Sequence, residues 1–166
     1  THILVMGAGT VGARDADLLK SLGYDVSLVK ATFDYHEPRT RDLLRIYEKH
    51  NQGFPFYIVG DKDLMDLPGL DAIDRNYGFR LEDINPQRLE DLDWSGVDLV
   101  IDATDKDRIT RANIERFYSP HNVPFVVNGG APADVVDRRF FAGIPGTALQ
   151  RNGSLDAKIV SSNTHC

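Results

Sequence analysis

Three glycines near the start of the chain carry its clearest chemical possibility. Gly7, Gly9 and Gly12 stand in the spacing G-x-G-x-x-G, directly after the apolar run Ile3-Leu4-Val5-Met6. Downstream, Ala13 to Leu22 predicts a helix with Ala16, Leu18, Leu19 and Leu22 as its inner positions. Strand, glycine turn and helix in that order can cradle an anion. Gly7 permits the tight turn, Gly9 lets the backbone approach a pyrophosphate, and Gly12 lets helix and strand pack closely. The pyrophosphate would rest on free N–H groups at the positive end of the helix. The alternative is a glycine turn that serves packing alone.

Other positions fit the same chemistry. Tyr24 to Lys30 predicts a second strand, completing a βαβ unit. At the end of such a strand an acidic side chain binds adenosine ribose hydroxyls, and a basic one accepts a 2′-phosphate. Here Lys30 is followed by Ala31 and Thr32, and the nearest acid is Asp34. That favours NADP, or tolerance of both NADP and NAD, over strict use of NAD; the other reading of Lys30 is a solvated strand end. Arg39, Arg41 and Arg45 either add positive potential at that end or form a solvated helix face. Val97 to Asp102 predicts a strand buried on both faces, with Thr104 just beyond its carboxyl end, where ligands sit in an open α/β sheet. Thr104 is a contact for a nicotinamide ribose or a cap for the next helix. The pair Gly129-Gly130 allows close approach of a ligand or serves its turn only. The Asp61-Lys62-Asp63 stretch lacks the ligand spacing of a hard-metal loop, and no metal site is expected.

These residues need elements to place them. Pro38 to Asn51 predicts a helix, Phe54 to Val59 a strand, Asn85 to Leu92 a short helix and Asp107 to Tyr118 another helix. Val123 to Asn128 predicts a strand, Ala133 to Phe141 is either helix or extended, and Ala157 to Ser161 predicts a final strand. Gly60 to Glu82, broken by Pro68 and Gly69, reads as loop and turn. Alternation of this kind predicts an α/β fold with a doubly wound, mostly parallel sheet. The length of 166 residues fits a single domain, 1–166. A net charge of −6 argues against non-specific nucleic-acid binding, and no apolar run is long enough to cross a bilayer. The single cysteine, Cys166, excludes an internal disulfide and fits a reducing, cytoplasmic setting.

Several pieces in this order resemble one family, the nucleotide-binding half of glyceraldehyde-3-phosphate dehydrogenase, closest to the archaeal type. They are Gly7-Ala8-Gly9-Thr10-Val11-Gly12, Val29-Lys30-Ala31-Thr32-Phe33-Asp34-Tyr35 and Val97 to Thr104. Asn128-Gly129-Gly130 with Ala133-Asp134 and Lys158-Ile159-Val160-Ser161-Ser162-Asn163-Thr164 complete the set. Asn85 to Gly96, ending in Leu92-Asp93-Trp94, looks more like the bacterial and eukaryotic type. The resemblance implies a Rossmann-type NAD(P)-binding domain. Its cofactor contacts carry over to Thr10, Val11, Lys30, Thr104 and Gly130, with Thr32 beside Lys30. Its substrate contacts carry over to Ser161, Ser162 and Asn163.

The implied reaction oxidises a phosphorylated aldehyde to an acyl phosphate. A Cys thiolate attacks the aldehyde, hydride leaves for the nicotinamide, and phosphate releases the thioester. The family forms homotetramers, and the state of this chain is open. Two departures stand out. Where the family has its nucleophilic Cys, this chain has Ser162; the alternative nucleophile, Cys166, needs a one-turn slip in register. The family's catalytic half would follow Cys166. Two other readings are a dinucleotide-binding module without chemistry, and a related semialdehyde dehydrogenase or acyl-phosphate reductase.

Overall fold

The computed structural model describes residues 1–30, 38–51, 53–59, 84, 86–128, 138–140 and 156–159. Its frame is an eight-stranded sheet in the order β4-β3-β2-β1-β5-β6-β8-β7, with every pairing parallel. The strands are β1 (His2–Met6), β2 (Asp25–Lys30), β3 (Phe56–Ile58), β4 (Gln87–Arg88), β5 (Leu99–Asp102), β6 (Phe125–Val127), β7 (Arg138–Phe140) and β8 (Asp156–Ile159). Helix α1 (Thr10–Ser21) joins β1 to β2, and α2 (Pro38–Lys49) lies between β2 and β3. Helix α3 (Asp107–Asn113) leads from β5 through a π-helical turn at Ile114–Tyr118 and a last turn at Ser119–His121 toward β6. The expected α/β fold with a parallel sheet is what the chain adopts.

Strand β1 lies at the centre because it is apolar on both faces. Its alternation sends Ile3 and Val5 to one side and Leu4 and Met6 to the other. On the first side they meet Ala13 and Ala16 of α1 and Leu43, Leu44 and Tyr47 of α2. On the second they meet Val29, Val100, Phe117, Tyr118 and Trp94. Ser27, the polar interruption inside β2, is fully buried and hydrogen-bonds to the His2 ring Nε2 at 2.8 Å.

Two expectations are corrected. The inner face of α1 is Gly12, Ala13 and Ala16, with Leu19 packed at its margin; Leu18 is 61% and Leu22 65% exposed. At 3.6 residues per turn Leu18 lies about 200° around the helix from Ala16, so the small residues and not the leucines set the stripe that meets the sheet. The stretch assigned to a short helix, Asn85 to Leu92, instead supplies β4, paired Tyr57↔Gln87 and Ile58↔Arg88, and then a 3₁₀ turn at Leu89–Asp91. Three residues per 3₁₀ turn place Leu89 and Leu92 above one another, and both are buried. The undecided segment after Ala133 contains the strand β7, and the final strand ends at Ile159.

The edge of α1 is tied to α2 by charge. Asp17 Oδ1 accepts hydrogen bonds from Lys49 Nζ and His50 Nε2, each at 2.6 Å. The Lys49 bond first, and then the His50 bond, hold the Asp17 carboxyl below its usual value.

Truncating the central strand tests this core. Leu4 is fully buried between Ser27 of β2 and Val100 of β5. Leu4→Ala is expected to lower the unfolding free energy by about 2–5 kcal/mol, read from urea denaturation.

Candidate functional site

The strand order reverses between β1 and β5: the chain lays β2, β3 and β4 to one side of β1, then β5 and β6 to the other. Ligands of open α/β sheets bind outside the carboxyl ends of the strands at such a switch point. Here the glycine turn leaves β1, and Ala103-Thr104 leaves β5 beside it.

The three glycines have separate physical jobs. Gly7 has φ +88°, a region that favours glycine, and its N–H and that of Ala8 both donate to Val29 O at 3.0 and 2.9 Å. A Cβ on Gly7 would lie 2.9 Å from Thr104 Cγ2 and 3.1 Å from Thr104 N. A Cβ on Gly12 would meet the Gly7 carbonyl oxygen and lie 3.2 Å from Ala103 Cβ. Gly9 is different, since a Cβ there would meet nothing within 4 Å. It is the N-cap of α1, with no side-chain cap, and no acid stands in the first turn. The N–H groups of Thr10, Val11 and Gly12 have no partner inside an α-helix, and Thr10 and Val11 are exposed. Open space, free donors and no negative charge fit a pyrophosphate.

At the end of β2, Lys30 is 7% exposed, which removes the solvated reading of that residue. On α2, Arg45 is exposed and pairs with Asp42 at 3.2 Å, so it belongs to a solvated face. Thr32, Asp34, Gly129, Gly130, Ser161, Ser162, Asn163 and Cys166 lie outside the described residues. Among the described residues no group of three or more His, Cys, Asp or Glu could hold a metal ion, and no helix is long and apolar enough to cross a membrane.

Thr104 is not the cap of the following helix, whose N-cap is Lys106. Its N–H donates to Asp102 Oδ1 at 2.9 Å, and its hydroxyl donates to the same oxygen. With that proton committed, the Thr104 hydroxyl accepts from Thr110 Oγ1 at 2.8 Å. Asp102 is fully buried, and its other oxygen accepts from Tyr118 OH at 2.7 Å and Asn113 Nδ2 at 3.1 Å. Burial, and then the charge of Asp102, push the Tyr118 hydroxyl well above the usual tyrosine value, so it stays a neutral donor.

A second, part-buried tie crosses the crevice. Asn128 follows β6; its backbone N–H donates to Asp102 O at 2.7 Å and its side chain to Asp15 Oδ2 of α1 at 2.6 Å. Sequence reasoning missed Asp102, Thr110, Asn113, Tyr118, Asp15 and the side chain of Asn128. One signal was available: a carboxylate closing the apolar run Leu99-Val100-Ile101 must enter the interior with donors around it.

No protein-family model matches the chain. Over 164 residues it is 30% identical to a glyceraldehyde-3-phosphate dehydrogenase from Pyrobaculum islandicum, an archaeal protein; the match takes in 96% of this chain and 40% of that relative. The match falls on the N-terminal part of that enzyme, so the chain spans about two-fifths of the length of the curated relative.

Charge at Asp15 gives a pH test. Burial raises its carboxyl above the usual value, against a smaller lowering by the Asn128 bond. A carboxyl raised in the folded state weakens the fold above that folded pKa, and the penalty vanishes below the unfolded value. Asp15→Asn keeps an acceptor for Asn128 without the charge. Its urea midpoint is expected to exceed that of the parent at about pH 7, with the gain fading as the pH falls to about 3.

Proposed function

We propose that this chain is the dinucleotide-binding domain, residues 1–166, of a phosphorylating glyceraldehyde-3-phosphate dehydrogenase-like oxidoreductase. The observation that carries the reading is the open space at Gly9, at the bare N-terminus of α1 and at the switch point of the sheet. The homology to glyceraldehyde-3-phosphate dehydrogenase supports a nicotinamide dinucleotide as the ligand.

Gly7, Gly9, Thr10, Val11 and Gly12 would hold the pyrophosphate. Lys30 and Thr32 would meet the adenosine ribose, where a buried cation favours NADP over NAD. Thr104 and Gly130 would line the nicotinamide end. Ser161, Ser162 and Asn163 would contact the phosphorylated aldehyde. The cofactor, when bound, supplies a hydride acceptor.

The whole reaction converts aldehyde and inorganic phosphate to acyl phosphate, with hydride and a proton released. It needs a thiolate to form the thiohemiacetal, and Ser162 is a far poorer nucleophile than a thiolate. Cys166 is the alternative nucleophile. The base and the substrate-phosphate site would lie in the part of the relative that this chain does not span. Ser162 also supports a second reading, a binding module without chemistry, which turnover by the chain would overturn.

Calorimetric titration with NADP⁺ and NAD⁺ in parallel tests the proposal. NADP⁺ is expected to bind more tightly, and Lys30→Ala to weaken it by about tenfold, or about 1.4 kcal/mol, without changing NAD⁺. Equal binding of both removes Lys30 as the selector. Binding of neither overturns the dinucleotide reading.

A further inference from the structure

The largest buried polar cluster among the described residues stands directly behind the glycine turn. Asp102 has no exposure to water, yet it closes a strand whose carboxyl end opens on the crevice. A carboxylate so placed needs donors on both oxygens. It has them: the Thr104 N–H and hydroxyl on Oδ1, and the Tyr118 hydroxyl and Asn113 amide on Oδ2. The Oδ2 partners come from α3 and its π-helical turn; the Oδ1 partner is the first polar residue after β5. Thr110 of α3 closes the ring through the Thr104 hydroxyl. Thr110, Asn113 and Tyr118 are themselves buried.

The consequence falls on Gly7. With N–H and hydroxyl both held by one carboxylate, Thr104 has a single orientation, and its methyl group faces Gly7. Gly12 then packs on the Gly7 carbonyl and on Ala103. The position of the first helical turn, with its free N–H groups, is thus set by contact with Ala103-Thr104. We infer that Asp102 is a positioning residue for the dinucleotide site: it acts through Thr104, whose methyl forms the wall against which the glycine turn is set. On this reading Thr104 serves the cofactor by its shape, since its N–H and hydroxyl proton are already committed. The inference rests on the dinucleotide reading above.

A charged network is favoured here over an apolar plug for a physical reason. Two oxygens can fix donors from two elements at defined angles, whereas an apolar contact leaves the Thr104 rotamer to packing alone. The positively polarised turn beside it also gains from a nearby negative charge.

The test separates positioning from stability. Thr104→Val keeps the shape and removes the hydroxyl; Thr104→Ser keeps the hydroxyl. Val123→Ala trims a buried side chain just ahead of β6, at the amino end of that strand and away from the carboxyl ends that open on the crevice, and serves as a destabilised control. Thr104→Val and Asp102→Asn are expected to weaken NADP⁺ and NAD⁺ alike by about tenfold at a temperature where each variant is folded. Hydrogen exchange at the Gly7 and Ala8 amides is expected to quicken in both without any ligand. Thr104→Ser should bind within about threefold of the parent. Val123→Ala should lower the melting point and leave both affinities and both amides unchanged. Parent-like affinity and exchange in Thr104→Val overturn the inference while the dinucleotide reading stands. So does an equal loss of affinity in Val123→Ala. If the parent chain binds neither dinucleotide, both fall together.

Discussion

The carboxyl end of the sheet depends on how closely one backbone can approach another. Gly12 lies so near the Gly7 carbonyl that a side chain there would overlap it, and Gly7 itself faces Thr104. This close approach brings α1 down onto β1 through Gly12, Ala13 and Ala16. The start of the helix is also bare, since its N-cap, Gly9, has no side chain to cap it. An uncapped helix start holds unmet N–H donors beside a positive dipole end. In a structural helix that would be a defect; at the switch point of a parallel sheet it is the usual place for an anion.

Buried charge is handled in two ways around this point. Asp102 is enclosed and fully supplied with donors, so it behaves as a fixed internal strut. Asp15 is only partly enclosed and has the Asn128 amide for its partner, and burial raises its carboxyl. Both link strands to helices across the crevice. Farther out, Asp17 with Lys49 and His50 ties α1 to α2 in a wetter setting, where the energy of each pair is small and screened.

The similarity to the N-terminal part of a glyceraldehyde-3-phosphate dehydrogenase fits this arrangement and also marks its limit. The chain spans about two-fifths of the relative's length. A cradle for a dinucleotide can be built on β1, α1 and β5 alone. Transfer of a hydride from an aldehyde cannot, because it also needs an activated nucleophile and a base positioned on the substrate side.

The alternation of apolar runs with helical segments was enough to read a parallel α/β sheet, because a strand buried on both faces has to be apolar throughout, as β1 and Leu99-Val100-Ile101 are. The glycine spacing was enough to locate the turn, since steric demands at Gly7 and Gly12 admit almost nothing else. The inner face of α1 was misread because leucines look more like core than alanines do; the close approach to the sheet selects small residues instead. The short helix at Asn85 to Leu92 was misread because an i, i+3 pair of leucines suits a 3₁₀ turn as well as an α-helix, and only pairing with β3 decides. Local sequence also placed Thr104 at a strand end, but not its partners. Thr110 of α3 and Gly7 of the turn after β1 meet Thr104, and Asn113 and Tyr118, up to sixteen residues beyond Asp102, meet Asp102, so the roles of Asp102, Asn113 and Tyr118 exist only once the fold brings them together.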